Sequence, residues 1–148
     1  MIIISDSTVL INFALLNLFD KLYEMFGIII VPKTVFKEVY LDGEAKPGSR
    51  EILEAKKSGW IKVEAIKDHG FFDRLTDLDL GEREALTLAY QYGECYLLTD
   101  DVAAKRACKR YLPLTTCFTT FEIGEGMYKK GIISMNHIEM AIKLRQLA

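Results

Sequence analysis

Four acidic positions in this chain share one property. Each stands beside an apolar run that can form a strand, or on the inward side of a helix. Asp6 follows Ile-Ile-Ile-Ser at residues 2–5, and Glu38 lies among Val35, Phe36 and Val39 in a helical pattern after a second apolar run at residues 28–31. Glu82 opens a helix predicted to start at Gly81 or Glu82, and Asp100 and Asp101 close the run Tyr96-Leu97-Leu98-Thr99. If three or four of these carboxylates converge, their repulsion raises one or more pKa values unless a cation intervenes. Mg²⁺ and Mn²⁺ are the natural cations, because they prefer oxygen ligands and keep several waters. Such a centre suits phosphodiester hydrolysis, where a metal acidifies an attacking water and stabilises a leaving oxygen.

Each position also has a plainer use. Asp6 can be a helix N-cap, and Glu82 in a first helical turn is favoured by the helix dipole. Glu38 can sit on a solvated flank or pair near Lys37, although an unpaired buried carboxylate is expensive. Asp100 and Asp101 cannot both point into one site from an extended backbone, so one of them is expected to cap a helix. Glu82 and Glu84 face different sides of their helix, so only one can join the site.

The elements that must position these groups alternate along the chain. Strands are expected at residues 2–5, 28–31, 60–66, 96–99 and 114–118, each bounded by turn or cap residues. Between them lie helical patterns over residues 9–26, with a break near 17–20, then 33–41, 50–57, 81–92 and 103–111. Pro32 fits the first turn of its helix, Asp42-Gly43 and Lys46-Pro47-Gly48-Ser49 are turn chemistry, and residues 68–77 read as a loop carrying Phe71 and Phe72. Thr119 or Thr120 can cap a helix ending before Gly131, and Ser134 is expected to cap a final helix over residues 135–147. Strand and helix in alternation call for a parallel sheet covered on both faces. Asp6 and Asp101 then share one sheet edge, where such folds place ligands. The side on which Glu82 falls depends on the connection before it.

Composition narrows the classes. The chain has 148 residues, half of them hydrophobic, which suits one compact domain with a sizeable core. A net charge of −2 provides no global basic field for nucleic acid. Three cysteines, Cys95, Cys108 and Cys117, lack paired spacing and suit a reducing, cytoplasmic setting. Two histidines are too few and too isolated for a zinc site. The apolar N-terminus lacks a basic leader region, and no run of about 18 apolar residues suggests a membrane span. Phosphate-loop and acyl-transfer motifs are absent.

Taken in order, ISDSTVLI, VPKTVFKEVY, LDLGEREALTLA and LLTDDVAAKRA resemble the PIN-domain family from residue 2 to about 130. The likeness is greatest to a toxin-like ribonuclease subgroup with a Gly-Glu-x-Glu-Ala helix. It implies a three-layer α/β/α sandwich with a central parallel sheet of four or five strands, as a single domain over residues 1–148. It further implies a Mg²⁺- or Mn²⁺-dependent endoribonuclease acting on single-stranded RNA, as the toxin of a toxin–antitoxin pair. Carried over motif by motif, Asp6, Glu38, Glu82 and Asp101 are the catalytic and metal-binding residues, with Asp100 as second choice for the last. Ser7 and Thr99 become polar neighbours able to hydrogen-bond a ligating carboxylate or a metal-bound water. The chain departs from the subgroup in having Thr115-Thr116-Cys117 or Thr119-Thr120 where a Gly-Thr pair is usual.

The alternative is a catalytically inactive PIN-like module that binds RNA or protein. A metal-dependent phosphatase or phospho-receiver is a further rival, since it too has an aspartate after its first strand, but Asp6-Ser7-Thr8 lacks the Asp-x-Asp-x-Thr pattern. Lys105, Arg106, Lys109 and Arg110 could track phosphates, or form an ordinary solvated helix face. Phe71 and Phe72 could stack bases or anchor their loop. The Leu/Phe/Met-rich segment near the N-terminus reads first as core and second as a homodimer face. The partners expected are therefore RNA, a small antitoxin and a second copy of the chain.

Overall fold

In a computed structural model describing residues 1–42 and 44–147, five short strands form one parallel sheet. They are β1 (Ile2–Ser5), β2 (Ile29–Pro32), β3 (Ile61–Glu64), β4 (Cys95–Leu98) and β5 (Thr115–Phe118), in the order β3-β2-β1-β4-β5. The helices are α1 (Ser7–Leu15), α2 (Phe19–Phe26), α3 (Lys33–Phe36), α4 (Ser49–Ser58), α5 (His69–Arg74), α6 (Leu80–Tyr92), α7 (Val102–Tyr111), α8 (Thr120–Lys129) and α9 (His137–Leu147). The expected three-layer α/β/α sandwich is the architecture found.

Strand residues alternate between the two faces, which splits the core in two. Ile3, Ile29, Val31, Ile61 and Leu98 pack with α1, α2, α4, α8 and α9. Ile4, Ile30, Cys95 and Leu97 pack on the other face with Phe71, Leu86, Leu88, Ala104 and Cys108 of α5, α6 and α7. The chain thus winds from β1 through β2 to β3 over one face, then crosses to β4 and β5 over the other. Between β1 and β4 the direction of winding reverses. That switch point leaves a crevice beyond the carboxyl ends of the strands, where neighbouring crossovers part to opposite faces.

The expected break in the first helical stretch falls at Asn17, whose φ of 58° no helix interior accommodates. Several other boundaries differ from the sequence reading, each for a local reason. Pro32 is the last strand residue rather than a first-turn one, with ψ of 157°. Residues 68–77 are not a plain loop, because Asp68 accepts from Phe71 N at 2.9 Å and starts α5. Asn136, not Ser134, caps the last helix, accepting from Glu139 N at 2.9 Å. Of the Asp42-Gly43 turn, Gly43 lies outside the described residues.

The two last helices meet closely. A Cβ at Gly124 of α8 would collide with the sulfur and methyl of Met140, itself fully buried on α9. Gly124→Ala should therefore cost about 1–3 kcal/mol through overpacking, measurable as a lower urea midpoint with the slope of the transition unchanged.

Candidate functional site

The crevice collects the acidic residues because of how the ladders end. Strand pairing between β1 and β4 matches Ser5 with Leu98, and Asp6 N extends the ladder by donating to Leu98 O at 3.0 Å. Thr99 N does the same for the next pair, donating to Phe118 O at 2.9 Å. Asp6 and Thr99 are therefore held side by side, 5% and 1% exposed, and the Thr99 side chain lowers the proton affinity of Asp6.

Three helices begin at this edge, each capped by an aspartate. Asp6 accepts from Val9 N at 3.0 Å, Asp79 from Glu82 N at 2.9 Å, and Asp101 from Ala104 N at 2.8 Å. The positive ends of α1, α6 and α7 thus point toward the same negative charges. Capping and site-building are compatible uses of one side chain at Asp6 and Asp101, since each spends one oxygen on its cap. Thr99 also turns its hydroxyl to accept from Asp101 N at 3.1 Å.

Glu38 arrives from the other side of β1. After α3 the backbone widens into a π-helical turn over Lys37–Leu41, closed by Asp42 N donating to Lys37 O at 2.9 Å. This turn carries Glu38 toward the crevice while Val35 and Val39 stay in the core. Ser7, the first residue of α1, donates its hydroxyl to Glu38 Oε2 at 2.9 Å.

Glu38 Oε1 lies over Gly81, where an added Cβ would stand only 2.6 Å away. Sequence reasoning saw in Gly81 only a possible helix start. A glycine in a first helical turn costs stability relative to alanine, and that cost was the available signal.

Glu82 completes the group. As α6 belongs to the crossover from β3 to β4, its start lies at the carboxyl edge of the sheet, which settles the side that sequence left open. Glu82 stands close to Asp79 and Asp101 at this edge. Burial first, then the charges of Asp79 and Asp101, push Glu82 up to about 7. Burial likewise pushes Asp6 up to about 6, against the lowering effects of Val9 N and the Thr99 side chain. Glu38 is also raised, by burial and by the charges of Asp79, Asp42 and Glu84.

Asp100 goes elsewhere. Its carboxylate accepts from Thr120 N at 2.7 Å, from Thr120 Oγ1 at 2.6 Å and from Asn12 Nδ2 at 3.1 Å. It locks the end of β4 to α1 and α8, so it is neither a free cap nor mere loop solvation. Glu84 is similarly committed to Thr34, through N at 3.2 Å and Oγ1 at 2.8 Å.

The edge is thus a set of oxygen donors with raised proton affinity. Among the described residues, the ion pairs are Lys21–Glu24 and Lys129–Glu125, both away from it. Hard divalent cations fit that donor chemistry. The carboxylates meet pairwise, however, and among the described residues no three His, Cys, Asp or Glu side chains close around one point.

Two other expectations resolve differently. Phe71 is buried and stacks on Tyr90 at 4.2 Å, while Arg83 lies over Phe72 at 4.0 Å, so both rings are occupied within the fold. The basic residues of α7 split into two stripes. Arg106 and Arg110 line a groove of about 250 Å³ with Arg74 and Tyr111, whereas Lys105 and Lys109 face a cavity of about 510 Å³ beside β5. A further cavity of about 600 Å³, lined by Glu64, His69, Gln91 and Tyr92, holds none of the crevice carboxylates.

The fold and crevice define a doubly wound α/β protein with an acidic switch-point site. The chain belongs to the PIN-domain family, whose description matches residues 2–137 and whose fold is in general that of nucleases. No curated protein matches the chain. Among the described residues, no helix is long and apolar enough to cross a membrane.

Two substitutions separate the roles of the carboxylates in metal-free buffer. Asp6 binds its proton more tightly folded than unfolded, so the burial cost is absent below about pH 4, grows up to about 6 and stays constant above. Asp6→Asn keeps the cap and should raise stability at pH 7.5 by up to ~3 kcal/mol, with the gain vanishing near pH 4. Asp100→Ala should instead lose about 2–4 kcal/mol by orphaning the buried Thr120 groups. Chemical denaturation at both pH values measures the pair. Gly81→Ala should leave the unfolding midpoint unchanged or slightly raised, while weakening divalent-metal affinity at least about tenfold by displacing Glu38. Titration calorimetry against Mn²⁺ reads that loss.

Proposed function

We propose that this protein is an endoribonuclease that cuts single-stranded RNA with Mg²⁺ or Mn²⁺ held by Asp6, Glu38, Glu82 and Asp101. The observation that carries the reading is Asp6, Glu38 and Glu82, all raised in proton affinity, together with Asp101 at the carboxyl edge, with no ion pair to any of them among the described residues. A divalent cation bound there would supply an acidified water and charge neutralisation for phosphodiester hydrolysis.

The chain's own residues have defined tasks in this scheme. Thr99 and the start of α1 orient Asp6, and Ser7 orients Glu38. Glu82 releases its proton as the pH rises through about 7. Metal affinity should accordingly increase from pH 5.5 to 8. Asp100 supports the site by fixing the end of β4. An open edge suits a polymer, which must pass across the site rather than fit within it.

The phosphates have a ready path along Arg106 and Arg110 of α7, the helix that Asp101 caps, beside Arg74 of α5. This revises the RNA-contact expectation, favouring Arg106 over Lys105. The finer assignments are a toxin role, a small antitoxin partner and a homodimer. They rest on the resemblance of the Gly81-Glu82-x-Glu84-Ala85 helix to toxin-like members.

Wild-type protein should cleave single-stranded RNA in Mn²⁺, with chelator or Asp6→Asn removing at least about 10²-fold of the rate. Equal cleavage by both proteins, or none by either over varied substrates, sinks the reading. Growth arrest on expression of the wild type, relieved by Asp6→Asn, tests the toxin role. Replacing Arg106 and Arg110 by Ala should weaken RNA binding and lower its log–log salt slope by about 1.4. The same change at Lys105 and Lys109 should do less.

A further inference from the structure

The cavity of about 510 Å³ between α7 and β5 contains chemistry that phosphodiester cleavage does not use. It is lined by Lys105, Cys108, Lys109, Thr116, Cys117 and Glu122, among others. Cys117 is at the centre of edge strand β5 and partly open to this cavity, while Cys108 is 3% exposed on the covering helix. The two thiols line this one cavity and pack in the same apolar cluster on that face of the sheet.

Lys105 and Lys109 stand one turn apart on α7, either side of Cys108 along the chain, and both act on Cys117. The neighbouring Cys108 thiol and then these two cations lower the Cys117 thiol below its ordinary value, against burial and the Glu122 carboxylate. Cys95 has a different setting. It is buried, lies by Ala89 O and Thr115 Oγ1, and is raised by burial.

We propose that Cys117 and Cys108 are a peroxide-sensitive thiol pair, with Cys117 as the attacking thiol and Cys108 as the resolving one. Cys117 sulfur attacks one oxygen of a hydroperoxide and the O–O bond breaks. The alcohol or water leaves with a proton, and Cys117 becomes a sulfenic acid, oxidised by two electrons as the peroxide is reduced. Cys108 sulfur then attacks Cys117 sulfur. The S–O bond breaks, water departs with the Cys108 proton, and a disulfide remains.

The electropositive, partly open surroundings of Cys117 are those of reactive thiols, and a resolving neighbour protects it from further oxidation. The cross-link joins α7, which Asp101 caps, to the edge strand β5. Its formation does not depend on the nuclease reading.

Full-length protein treated with hydrogen peroxide, then quenched with N-ethylmaleimide, tests the pair by intact mass and peptide mapping. The expected product is lighter by two hydrogens, carries a Cys108–Cys117 cross-link, keeps Cys95 free and reverts with dithiothreitol. Cys117→Ser should form no cross-link, and Cys108→Ser should leave a sulfenic acid trapped by dimedone. Before oxidation, wild-type Cys117 should alkylate about tenfold faster than Cys95, and Lys105→Gln with Lys109→Gln should shrink that ratio. A cross-link through Cys95, no cross-link in the wild type, or equal alkylation of Cys95 and Cys117 overturns the proposal.

Discussion

Negative charge gathered in one crevice is the constraint on which the rest of this structure depends. A carboxylate 5% exposed, as Asp6 is, costs stability above about pH 4, and the nearby charges of Asp100 and Asp101 add to that cost. The fold answers with fixed dipoles rather than basic side chains. Three aspartate-capped helix starts face the edge, and Ser7 and backbone N–H groups each donate to a named carboxylate. These donors orient charge without cancelling it. The result is a site with proton affinities near neutrality and an intrinsic demand for cations.

Topology decides which residues share that demand. Because β1 and β4 are neighbours with a continuous parallel register, one extra ladder bond beyond Ser5 puts Asp6 beside Thr99. The widened turn at Lys37–Leu41 and the missing side chain at Gly81 then admit Glu38 from the β2 side. Each device is small. Together they bring residues from positions 6, 38, 82 and 101 to one edge, one from each of the four connections of an ordinary doubly wound sheet.

Much of this was legible in the sequence because it depends on local pattern. Short β-branched runs and capping residues locate the strands and helices, and an aspartate directly after a buried strand must emerge at the carboxyl edge. The illegible parts depend on distant partners. Nothing in the segment around Asp100 announces Thr120 or Asn12, so its structural lock looked like spare charge. Gly81 looked like punctuation because its neighbour Glu38 is more than forty positions earlier. Phe71 and Phe72 left base stacking and loop anchoring both open, and their contacts with Tyr90 and Arg83 are those of anchors. Asp6 posed a different difficulty, as cap and site residue seemed to compete although a carboxylate has an oxygen for each use.

Helix α7 shows how one element can serve separate chemistries. Its first residue follows Asp101, so its dipole belongs to the acidic crevice. Four basic residues at 105, 106, 109 and 110 read as a single run along the chain, but successive helical positions diverge by about 100°. Arg106 and Arg110 therefore meet Arg74 on one flank, while Lys105 and Lys109 meet Cys117 on the other. A guanidinium can grip a phosphate in two places, which suits an open path for a polyanion. An ammonium is a compact charge that suits biasing a nearby thiol. Two stripes with opposite neighbours explain why this helix carries two kinds of cation, and why substitutions on one flank need not disturb the other.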